Sequence, residues 1–148
     1  MNKRLDIARI VEPLLHIDSN EEWLRWEPIK DLSGDYTLHS IVDSEMLKII
    51  LNEGNNKHSL ILLFKNSSSS YQVTKENGYF LNGNNQNHNW PFFKIKNSWY
   101  LHYLQELSAE ISVGIPFQHF AIIPQGYRLD IMATQEPEIQ IIQIKNKE

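Results

Sequence analysis

The feature that most constrains the fold of this chain is a short apolar block with polar ends, His58 to Lys65, whose centre Leu60-Ile-Leu-Leu-Phe64 is unbroken. An apolar run of that length without a helical period reads as a strand buried on both faces, and it falls far short of the ~20 residues that span a bilayer. A chain built round such a strand needs neighbours that cover both sides of it.

The flanking segments supply candidates. Tyr36 to Val42 reads as a strand. Asp43 or Ser44 suits the cap of a helix whose apolar stripe is Met46, Leu47, Ile50 and Leu51, ended by Gly54-Asn55-Asn56. Upstream, Leu5, Ala8, Val11 and Leu15 have helical spacing with Pro13 inside it. Ser19 and Glu22 have the form of a capping box, which predicts a short helix through Trp23 and Trp26 that stops before Pro28.

Downstream, Ser67–Ser70 reads as a loop. Tyr71–Glu76 and Tyr79–Leu81 flank Asn77-Gly78, a strong two-residue hairpin signal. Asn82–Asn89 reads as a mobile loop, and Trp90–Ile95 as a strand that Pro91 confines to an edge or a strand start. Asn97 or Ser98 caps a helix running to Ser112, with Tyr100, Leu104, Leu107 and Ile111 on one face. Phe117–Ile123 and Tyr127–Ala133 form a second hairpin round Pro124-Gln125-Gly126, read as a type I turn plus bulge, and Glu138–Lys145 is a last strand. The pattern predicts a single α+β domain over residues 1–148, with a mostly antiparallel sheet of about five to six strands and helices packed on one face.

Charge is distributed unevenly. Between Glu12 and Glu53 ten acids stand against three bases, net −7 in a chain of net −4, so the remaining residues sum to +3. The chain has no cysteine, which excludes thiolate chemistry and disulfides and fits a reducing cytoplasm. Met1-Asn2-Lys3-Arg4 is basic, but Asp6 and Arg9 interrupt any signal-peptide core. Nucleic acid is a poor partner for this balance of charge.

Catalytic templates are sparse. No phosphate-cradling glycine loop, nucleophile elbow or cofactor motif is present, and nothing singles out one serine for a Ser-His-Asp triad. The six histidines (His16, His39, His58, His88, His102, His119) do not pair at metal-binding spacings. His102, His119 and Asp130 form a conceivable trio, but a Pro-Gln-Gly loop sets position 119 opposite 131, turning Asp130 to the other face. His119 then reads as a core histidine bonded to backbone.

Asp130, followed by Ile141-Ile-Gln-Ile-Lys145, resembles in outline the PD-(D/E)xK nuclease core, with Gln143 where glutamate is commoner. The resemblance implies a Mg²⁺-dependent nuclease in which Asp130 and Gln143 hold the metal and Lys145 orients water. Two other readings stand beside it. One is a non-enzymatic interaction module, in concrete form a bacterial immunity protein that neutralises a basic toxin. Its contact set would be Glu21, Glu22, Trp23, Trp26, Glu27, Asp31 and Asp35, since paired Trp within an acidic rim suits a basic partner. The other is a small-ligand domain with its pocket between the sheet and the Asn97–Ser112 helix.

Overall fold

The computed structural model describes residues 21–65, 68–75, 90–107 and 116–144. Nine strands and one helix are present among them: β1 (Glu22–Arg25), β2 (Tyr36–Asp43), β3 (Met46–Glu53), β4 (His58–Lys65), β5 (Ser68–Lys75), β6 (Phe92–Lys96), α1 (Trp99–Leu107), β7 (Gln118–Ile122), β8 (Tyr127–Ala133) and β9 (Glu138–Gln143). They make two antiparallel sheets, a five-stranded one in the order β1-β6-β7-β8-β5 and a four-stranded one in the order β2-β3-β4-β9.

This overturns the α+β expectation. Two expected helices are strands. Met46–Glu53 alternates Leu47, Ile49 and Leu51 inward, each at most 1% exposed, so the two-residue period prevails over the helical stripe that shares Leu47 and Leu51. The cause is non-local: β4 already presents an apolar face, and β3 pairs with it through seven registered positions. Trp23 likewise belongs to β1, paired with Ile95 of β6. Ser68–Ser70, expected as loop, opens β5. The first predicted helix, Ser19, the Asn77-Gly78 turn, Asn82–Asn89 and residues 108–112 lie outside the described residues.

The two sheets pack face to face. Leu47, Ile49, Leu51, Leu60, Leu62 and Phe64 from the smaller sheet meet Phe92, Phe120, Ile122, Leu129 and Ile131 from the larger. Phe64 and Phe120 touch edge to face at 5.5 Å between ring centroids, and Trp26 fills the gap 5.0 Å from Phe120. At one end of β2 the Tyr36 ring meets Phe92, and its carbonyl accepts the Gln125 N–H.

The larger sheet is apolar on both faces. Phe93, Ile95, Ala121 and Met132 are buried on the side away from the sandwich, where α1 and Trp23 cover them. Runs such as Leu129–Ala133 read as continuous burial for this reason. α1 lies on that outer face, and its Tyr100 ring sits 5.3 Å from that of His119. No helix among the described residues is long and apolar enough to cross a membrane.

Candidate functional site

A polar cluster is buried under α1. The β7–β8 pairing sets Phe120 opposite Ile131 and His119 opposite Met132, which puts His119 and Asp130 on the same outer face. The sequence expectation had the register one residue out. Pro124 to Tyr127 forms a tight turn closed by Tyr127 N–H donating to the Pro124 carbonyl, with Gly126 at φ 78°. A left-handed third residue suits a type II turn, not a type I turn plus bulge. Ile123 and Gln125 bond outward to Pro91 and Tyr36, so the strands part earlier than a minimal hairpin would.

His119, its side chain wholly buried, is held at both ring nitrogens. Nε2 lies 2.6 Å from Asp130 Oδ1, and Nδ1 lies 2.6 Å from Ser98 Oγ. Burial alone would raise the Asp130 pKa, but the His119 hydrogen bond and the Arg128 charge outweigh it and hold the carboxyl below its ordinary value. A carboxylate only accepts, so Nε2 carries the proton it shares with Asp130. Nδ1 has the Ser98 hydroxyl as its partner. Arg128 Nε donates to both Asp130 oxygens, at 3.2 and 3.0 Å, and Nη2 adds a bond of 3.0 Å. The guanidinium lies 4.7 Å over the Trp23 ring.

Ser98 is also the cap of α1. Its Oγ accepts the Leu101 N–H at 3.1 Å, while Asn97 just before it takes φ 53° to turn the chain from strand to helix. Glu21 fills the next free helix N–H: Oε2 accepts from Trp99 N at 3.1 Å and Oε1 from Trp23 Nε1 at 3.2 Å. Burial nevertheless raises the Glu21 pKa. Tyr100 and Ser70 share a 2.8 Å hydroxyl bond. All five strands of the larger sheet, directly or through the Asn97-Ser98 junction after β6, are tied into this network with α1.

The Ser98, His119 and Asp130 connectivity is that of a hydrolytic relay, yet the local geometry employs it otherwise. Ser98 Oγ is already bonded to His119 Nδ1 and accepts from Leu101, and the Trp99 N–H that could stabilise an oxyanion is held by Glu21. Ser98 is 4% exposed and Asp130 6%. The arrangement is a latch seating α1 on the sheet.

Beside the latch opens a cavity of about 470 Å³, walled by Leu24, Ile95, Leu101 and Phe117, with Ser98 and His119 at its polar side. Lys94, Lys96, Asn97, His102 and Gln118 complete the lining. Its volume lies in the ~300–1,000 Å³ range of small-molecule sites. It sits between the sheet and the helix that begins after Asn97.

The residues expected to meet a basic partner are divided among several places. Glu21 and Trp23 belong to the latch. Trp26 is 7% exposed in the core, its Nε1 donating to Glu136. Glu22 is exposed on β1 opposite Lys96, and Glu27 pairs with Arg25 at 3.4 Å. Asp31 is exposed at φ 63°. Asp35 accepts from Gln125 Nε2 and lies against Gly54, where a Cβ would collide with the Asp35 carboxylate. The intended pairing of Trp23 with Trp26 depended on a helix; on an extended chain they serve different layers.

The nuclease-like residues are also apart. Asp130 lies in the larger sheet with both oxygens engaged, Gln143 is exposed on β9 of the smaller sheet opposite His58, and Lys145 lies outside the described residues. No group of three or more His, Asp or Glu among the described residues could hold a metal. Ser98, read only as a cap, and Arg128, unremarked, were the residues missed. An Arg-x-Asp pair inside the apolar run Tyr127–Ala133 was the available signal, since charges spaced by two on a buried strand share a face and must find partners. No family model, curated protein or solved structure matches the chain.

Proposed function

We propose that this protein is a non-enzymatic binding module whose ligand seat is the cleft between β6, α1 and β7. The observation that carries the reading is the cavity of about 470 Å³ set against a buried, fully partnered polar wall. Ser98 and His119 hold α1 to the sheet, so the wall is organised before any ligand arrives, and preorganisation of that kind lowers the cost of binding. The test is a small fragment library titrated into ¹⁵N-labelled protein. The amides of Asn97, Leu101 and Gln118 should shift together; shifts confined to other surfaces would refute the reading.

A second reading is a toxin-neutralising interaction with a basic protein. It is favoured by a narrower set of carboxylates than the sequence suggested: Glu27, Asp31 and Asp35 are exposed along the single connection between β1 and β2. Such a surface would attract a cationic protein over a range of ~8 Å at physiological ionic strength. Reversing those three charges should then weaken capture of the partner at low salt. Unchanged capture would dismiss this reading and leave the cleft untouched.

A further inference from the structure

The charge of the cleft runs against that of the chain. A protein of net −4 lines this cavity with two lysines, Lys94 and Lys96, beside the His102 and His119 imidazoles, and no carboxylate is among the described residues that line it. The carboxylates nearby are mostly engaged. Glu136 pairs with Lys94 at 2.9 Å, Asp130 is held behind His119 by Arg128, and Glu21 is on the Trp99 N–H. Glu22 stands opposite Lys96 across β1 and β6. Among the described residues Lys96 nonetheless has no ion pair. Lys94 is turned towards the Trp26 and Phe120 rings, 5.9 and 5.7 Å from their centroids, which leaves Lys96 as the cation open to a ligand, with the exposed His102 imidazole as a hydrogen-bonding group on the same lining. Leu24, 39% exposed, together with Ile95, Leu101 and Phe117, supplies apolar wall.

Resting on the cleft reading above, we infer that the ligand is a small amphiphile with an anionic head, carboxylate or phosphate monoester, on an apolar body. The head sits by Lys96 and His102, and the body lies along Leu24, Leu101 and Phe117. A neutral ligand would leave Lys96 unused, and a cationic one would meet like charge from it with no lining carboxylate to offset the repulsion.

Octanoate, octyl phosphate and 1-octanol are titrated into the wild-type protein and into Lys96→Glu, followed by calorimetry and amide shifts. The two anions should move the Asn97, Leu101 and Gln118 amides. Lys96→Glu, which faces Glu22 across the strand pair, should lower the melting temperature only slightly while weakening both anions about five- to tenfold and leaving octanol unchanged. Whichever anion binds more tightly identifies the head group. Octanol binding as tightly as octanoate, with Lys96→Glu neutral, would overturn the anionic ligand and keep the cleft. Absence of cleft shifts with all three would overturn both.

Discussion

Replacing Ser98 probes the latch at its most economical point, because one oxygen serves two partners. Alanine removes the acceptor of the Leu101 N–H, a lost N-cap that costs about 1 kcal/mol. It also leaves His119 Nδ1 buried without its partner, a further ~1–3 kcal/mol. The expected loss is about 2–4 kcal/mol, a large part of the ~5–15 kcal/mol that holds a typical domain together. Glycine separates the two contributions, since at an N-cap it costs only a few tenths relative to serine; Ser98→Gly should therefore lose about 1–3 kcal/mol, nearly all from His119. Urea unfolding with linear extrapolation measures each variant, repeated in a His119→Leu background where the buried nitrogen is gone. There Ser98→Ala should cost only the cap. An equal cost in both backgrounds would show that Ser98 and His119 are not coupled, and the latch would fail as an explanation of how α1 is held.

Four further outcomes rest on the same geometry. Asp130→Asn strands Arg128 beneath Trp23 and should cost about 3–5 kcal/mol in urea unfolding, as expected for one half of a buried pair removed. Because the native Asp130 pKa lies below its unfolded value, its contribution is complete above the ordinary carboxylate range and is lost as pH falls through the native value; acid titration of wild type and variant should converge at the lowest pH. Glu21 has the opposite sign: its raised native pKa makes stability decline as pH rises from the ordinary glutamate value through the native one, and Glu21→Gln should flatten that part of the profile while Gln still accepts the Trp99 N–H. Phe120→Ala, at 0% exposure between Phe64 and Trp26, should cost about 3–5 kcal/mol by calorimetry, and a cost below 1 kcal/mol would mean the two sheets do not pack there.

Much of the strand content was legible wherever one local signal stood unopposed. The His58–Lys65 and Tyr127–Ala133 strands, the cap at Ser98 and the left-handed Gly126 all read directly from residue type and spacing. Where two periods shared residues, locality failed. Leu47 and Leu51 satisfy both a helical and a strand repeat, and only the facing β4 decides between them. Trp23 and Trp26 were paired on an assumed helix, whereas β1 finds its partner β6 about seventy residues along the chain, a contact no window of sequence contains. The latch was hidden for a smaller reason. One extra residue in the register between β7 and β8 moves Asp130 from the far face to the side of His119, and that shift was set by Ile123 and Gln125 bonding to Pro91 and Tyr36.

Whether Ser98 is a structural cap or a nucleophile decides between a binding module and a hydrolase, and a fluorophosphonate probe measures it directly. Intact-mass and peptide analysis after incubation should find no adduct on Ser98 in the folded protein, because its oxygen is enclosed and bonded to His119 and Leu101. A stoichiometric adduct on Ser98 that disappears in His119→Ala would contradict the latch and make the relay catalytic.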